Sequence, residues 1–163
     1  MTVVRRRWGG PAPVSRGPPI LRDAQHVRPA PVYVTTFQET RPNAATKPVR
    51  WAADTVAAMR EGARLRLDYS AQSLWRVDRL IEEIRREEAP YAAVDKTLRG
   101  FGAYAGEVVV RETGAEWWSS GGEHWIRIPD GRLWDPIDEA RRCFHGDGSL
   151  RLLCREATVA KAR

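Results

Sequence analysis

Lysine is nearly missing from this chain: there are three Lys against 24 Arg, and a single Asn, Asn43. That skew fits a GC-rich coding sequence, so arginine is not in itself a sign of selected chemistry. Cysteine is scarce too. Two residues, Cys143 and Cys154, cannot build the multi-bridge framework of a small secreted domain, and reduced thiols in a cytoplasmic setting are expected. No apolar run approaches the roughly 18 residues of a membrane-spanning helix, so no membrane partner is expected. The run Arg5-Arg6-Arg7 leads into Gly and Pro, not into the apolar stretch of a secretory leader. Phosphate-binding and dinucleotide glycine loops are absent, and Ser119 and Ser120 beside Gly121 do not form a nucleophile elbow. No cofactor is expected.

What is present divides unevenly. The 163 residues are 42 % hydrophobic with seven Trp, enough for one packed domain. The formal charge is +6, but residues 1–48 hold eight basic and two acidic side chains, which leaves 49–163 neutral with 19 of each. The same 48 residues carry eight of the eleven prolines, with PAPV at 11–14 and again at 29–32. Proline lacks an N–H and resists helix and sheet, so a disordered tail is expected, with VYVTTF (32–37) as its one strand-like island. Such a tail suits a proline-rich ligand or a tether to anions, and any contact with nucleic acid is expected only through it. Translation from Met59 or another internal codon is a further reading.

From residue 49 a single α+β domain is expected. The Ala-rich stretch 51–67 reads as a helix. Ser70 is a good N-cap for a helix with Leu74, Val77, Ile81 and Ile84 at spacings of three and four. Pro90 suits the first turn of the next helix, with Val94, Leu98, Phe101, Ala105 and Val108 as its apolar stripe and Gly114 as its stop. The period then drops to two. EWWSS (116–120), EHWIRI (123–128) and RLWDP (132–136), separated by Gly121-Gly122 and Asp130-Gly131, predict a three-stranded antiparallel meander. Helices over 136–145, capped by Asp135, and about 150–160, capped by Ser149, complete the order.

Gly102 and Gly106 stand one turn apart within a helix, where each costs about 1 kcal/mol against alanine. They predict a bare strip on which another helix or an aromatic ring, Trp117 or Trp118, packs closely. A ligand groove is the alternative. Glu107 is a weak catalytic candidate, since Arg111 follows at the spacing of a helix ion pair. His124 is a weak general-base candidate that needs an orienting carboxylate, Asp130 or Asp135. Cys143, His145 and Cys154 supply metal-ligand types at a spacing unlike common zinc sites, so no metal is expected. The Trp cluster could stack bases, but Arg127 and Arg132 are outnumbered there by acids. Adjacent Trp117 and Trp118 on one strand point to opposite faces, so at least one of Trp117, Trp118, Trp125 and Trp134 is expected to be exposed.

LDYSAQSLWRVDRLIEEIR (67–85), FGAYAGEVVVRETGAEW (101–117) and LWDPIDEARRCF with GDGSL (133–150) together resemble a family of small uncharacterised actinobacterial proteins, a domain of unknown function with the pattern LDYSxxSL, GxYxGEVxxR and GxxW. Asp138-Glu139 depart from that pattern, where glycine and a basic residue are expected. The resemblance implies an actinobacterial source and a domain over about 65–155, and no activity. The function expected is a non-enzymatic protein-binding or regulatory module, its surface formed by Tyr104, Glu107, Trp117, Trp118, Trp125 and Trp134. A small enzyme using Glu107 and His124 is the alternative, with nucleic-acid contact through the tail as a second.

Overall fold

The computed structural model describes residues 46–161. The chain divides into two units, 1–38 and 39–163, and the described residues belong to the second. The proline-rich repeats and the VYVTTF island lie outside them. Helices come first, then a small antiparallel sheet, then two more helices, the α+β order expected.

Helix α1 (Thr46–Gly62) starts ahead of the expected boundary and takes Pro48 into its first turn, where a missing N–H breaks no helical bond. It stops at Gly62, short of residue 67. Ser70 caps, but what it caps is a single 3-10 turn, Ala71–Ser73; its hydroxyl accepts the Ser73 N–H at 3.2 Å. Helix α2 (Leu74–Arg86) follows directly. It buries Leu74, Val77 and Ile81 and carries the ion pairs Arg79–Glu83 and Arg86–Glu82 on its outer side.

Helix α3 (Tyr91–Thr113) is preceded by Pro90 as its cap and ends at Gly114, left-handed at φ 75°. A single apolar stripe understates its burial. Every residue from Gly100 to Val109 is buried, because α1 and the two C-terminal helices pack around it. A helix enclosed on all sides must be apolar or small all round, and FGAYAGEVVV is, apart from Glu107.

Strands β1 (Glu116–Ser120), β2 (Glu123–Arg127) and β3 (Leu133–Trp134) form the expected meander in the order β1-β2-β3. Gly121 and Gly122 both take positive φ at the first turn, as a tight hairpin requires. Strand β3 is shorter than RLWDP suggests, since Asp135 leaves the ladder to cap α4 (Pro136–His145), accepting the N–H groups of Ile137 and Asp138 at 3.1 and 2.8 Å. Helix α5 (Leu150–Lys161) is capped twice. Ser149 Oγ accepts the Leu152 N–H at 3.1 Å. Asp78, from α2, accepts Ser149 Oγ–H at 2.7 Å and the Leu150 N–H at 2.9 Å. That carboxylate fixes α2 to the positive end of the α5 dipole.

The two glycines of α3 are packing sites. A methyl group on Gly102 would lie 2.5 Å from Ile137 Cα and from the Pro136 carbonyl oxygen, so the start of α4 touches the α3 backbone. A methyl group on Gly106 would run into the Trp117 indole and into Pro136 Cγ. No ligand groove is left over this strip. Gly102→Val and Gly106→Val are each expected to lower stability by about 1–3 kcal/mol, the usual cost of overpacking. Gly62→Ala, with nothing within 4 Å of the new methyl, is expected to be neutral or to gain up to about 1 kcal/mol. Urea unfolding of the three variants checks both; equal, small effects would remove the close-packing account.

Candidate functional site

The residues singled out from the sequence separate into an inner and an outer set, divided by the sheet. Trp117 pairs with Ile126 and Ser119 with His124 across β1 and β2, while Trp118 pairs with Trp125. Cross-strand partners share a face, so the first four look inward to the helices and the tryptophan pair looks out.

The inner set is a closed polar network. Tyr104 is fully buried. Its hydroxyl accepts the Tyr69 N–H at 2.9 Å and lies 2.5 Å from Ser73 Oγ. Ser73 donates its own proton to the Ser70 carbonyl at 2.6 Å, so the proton between Tyr104 and Ser73 belongs to Tyr104. Burial pushes the Tyr104 phenol above its ordinary range, which keeps it a donor. Tyr69 sits at φ 60°, an uncommon state for an aromatic residue. Its ring is held between Tyr104, at 5.0 Å between centroids, and the Arg111 guanidinium, at 3.9 Å.

Glu107 belongs to the same network and is 7 % exposed. Its Oε1 accepts the Trp117 indole N–H at 2.8 Å and its Oε2 accepts from Arg111 Nη1 at 2.8 Å. The expected pair with Arg111 is present, but the carboxylate is buried and the tryptophan is its second partner. Tyr104, Glu107 and the half-buried Trp117 therefore do not form the outward surface expected of them: the glycine strip lets Trp117 fold down onto α3, and Glu107 meets its indole nitrogen there.

His124 is also inward and buried. Its Nδ1 shares a hydrogen bond of 2.6 Å with Ser119 Oγ, and its ring meets Trp51 of α1 edge-on at 5.2 Å. Burial first, then the positive charge of Lys47, pull its pKa below the usual value, against Glu123 and Asp135. Asp135 is occupied as the α4 cap and Asp130 chelates Arg132. Glu107 and His124 are each bonded to a different partner, and neither lines the two large surface clefts. Glu107 and His124 therefore share no hydrogen bond among the described residues.

Among the described residues, Cys143, His145 and Cys154 form no metal-holding group. Cys143 and Cys154 are buried, with burial and the nearby Asp78 charge pushing the Cys143 thiol up to about 12. His145 is exposed and stacks on Tyr91 at 5.9 Å.

The outer set is different in kind. The Trp118 and Trp125 rings lie 5.4 Å apart, and Trp118 is 40 % exposed. Leu133, opposite Arg127 on β3, continues that face and is 49 % exposed. Arg127 and Glu116 pair between them. Trp134 pairs with Ile126 on the inner side, half-buried, its Nε1 buried without a hydrogen-bond partner among the described residues. Sequence reasoning missed Leu133. Its signal was present, since alternation makes Leu133 the opposite of Trp134, but the inward member cannot be chosen without the register.

No family model, curated protein or solved structure matches the chain.

Two outcomes follow from the inner geometry. Tyr104→Phe leaves the Tyr69 N–H without its acceptor and should cost about 1–3 kcal/mol, measured by urea unfolding; a smaller loss would mean that Tyr69 finds another partner. His124 has its pKa lowered by folding, so the unfolded chain takes up a proton that the native one resists. Its contribution is complete above the ordinary value of about 6.5 and is lost as pH falls from there through the lowered native value. Wild-type stability should therefore drop more steeply than that of His124→Gln as pH falls below about 6.5. Parallel pH profiles would contradict the assignment.

Proposed function

We propose that the domain is a non-enzymatic binding module that holds a protein partner on the outer face of its sheet, through Trp118, Trp125 and Leu133. The observation that supports this is the outward tryptophan pair with an exposed leucine beside it. Tryptophan offers roughly 150–250 Å² for burial. At about 25 cal/mol/Å², leaving two fifths of Trp118 in water forgoes about 2 kcal/mol. Tryptophans of this kind anchor contacts in partner complexes, and the Arg127–Glu116 ion pair sets a polar element between them and Leu133 on the same face. Tyr104, Glu107 and Trp117 act behind this face: they fix β1 on α3, so the anchors are presented on a rigid support.

A selection from a random displayed-peptide library against the full chain tests the reading. Wild-type protein should enrich binders that Trp118→Ser and Leu133→Ser each lose by at least about tenfold, a hot-spot-sized effect of roughly 1.4 kcal/mol. Both positions are exposed, so stability should stay within about 0.5 kcal/mol of wild type. Binders indifferent to both substitutions would sink the proposal.

A further inference from the structure

We infer that the partner seated on this face is a positively charged peptide segment, one that brings arginine or lysine side chains into the acidic groove beside β3; this rests on the binding-module reading above. Leu133 carries the argument. It ends the Trp118–Trp125 face on one side and lines the mouth of a groove on the other. That groove, about 650 Å³, runs between β3, α4, the α4–α5 turn and α5.

Its charge is one-sided. Asp135, Asp138, Glu139, Asp147 and Glu156 line it with a single basic residue, Arg142. Arg142 is already engaged, donating to Glu139 Oε2 at 2.8 Å and to the Asp147 carbonyl at 3.1 Å. The other oxygen of Glu139 accepts the Ser149 N–H at 2.9 Å. Asp135 caps α4, and Asp147 feels the charge of Arg85. Asp138 and Glu156 remain. Both are exposed, and no ion pair is recorded for either among the described residues.

The groove is therefore lined by two carboxylates without an ion pair among the described residues and by the apolar side chains of Leu133 and Leu152, themselves exposed. That combination fits a long cationic side chain, whose methylene stem lies on apolar surface while its head reaches a carboxylate. The tryptophans on the same sheet face, one and two strands from Leu133, suit the same chemistry, because guanidinium and ammonium groups stack on indole faces. An acidic segment or a nucleic-acid backbone would meet like charge along the groove.

The displayed-peptide selection closes the question when its binders are sorted by charge. Peptides that depend on Trp118 should be enriched in arginine and lysine. Their affinity, read by fluorescence anisotropy, should fall at least about tenfold for Asp138→Asn combined with Glu156→Gln, and should weaken as salt rises past a Debye length of about 10 Å at 0.1 M. Both substitutions are isosteric and exposed, and Asp138 lies in the first turn of α4, where its charge favours the helix, so a cooperative transition within about 5 °C of wild type confirms the fold. Trp118-dependent binders that are neutral or acidic, or that ignore the double substitution, overturn the cationic partner and leave the binding module standing. An absence of Trp118-dependent binders overturns both. A concentration-dependent dimer in sedimentation that Trp118→Ser abolishes assigns the face to a second copy and likewise overturns the cationic partner.

Discussion

Everything in this domain turns on the contact between the bare strip of α3 and the two groups laid on it, the start of α4 and the Trp117 indole. Two glycines one turn apart remove the side chains that would hold neighbours away from the helix backbone. The conformational cost of glycine in a helix is about 1 kcal/mol each, and close dispersion contact along a buried helix offsets it. The contact also sets positions. With Ile137 and Pro136 seated on Gly102, α4 has one approach, and its cap Asp135 must end β3. With Trp117 over Gly106, the face of β1 is chosen, and alternation does the rest.

The polar network follows from the same contact. An indole pressed onto α3 brings its N–H to the helix surface, where it is buried and needs an acceptor. Glu107, next to Gly106, supplies one, and Arg111 one turn on compensates the charge. Arg111 in turn covers Tyr69, whose backbone is held in its left-handed state by Tyr104. Residues 69–73, helix α3 and Trp117 thus share two hydrogen-bonded groups, joined where the Arg111 guanidinium lies over the Tyr69 ring. A buried carboxylate in such a chain serves the packing: each oxygen accepts a hydrogen bond from a side chain that the fold brings to it, and little of the group reaches solvent.

Much of this was legible in the sequence, for local reasons. Gly114, Asp135-Pro136 and Gly121-Gly122 are signals whose chemistry acts within a few residues, and each does what its type requires. The glycine pair foretold close packing, with Trp117 as one of its two candidate occupants. What could not be read is what depends on register and on distant partners. Asp78 looks like one more surface acid of an amphipathic helix, yet it caps α5 from more than seventy residues away. Glu107 with Arg111 looks like an exposed pair, because nothing local says that α3 is surrounded. Burial of Tyr104 and Glu107 reverses their expected role for that reason. The choice between Trp117 and Trp118 needed the strip to be matched with one ring.

That choice explains why the outer face is the informative one. Once Trp117 is committed inward, period-two geometry forces Trp118 outward, and the hairpin register places Trp125 beside it and Leu133 one row further. Geometry accounts for where these side chains point, but not for what they are. Threonine suits a solvent-facing strand position as tryptophan does, and lysine protects a sheet edge from unwanted pairing. The cross-strand contact of Trp118 with Trp125 itself contributes to the sheet, about 0.2–1 kcal/mol for such a pair, whereas Leu133, 49 % exposed, buries little. The inner residues of the site account for themselves through the fold; the tryptophan pair does so in part, through its own ring contact, and the apolar area left in water on Trp118 and Leu133 is what the proposed partner would cover.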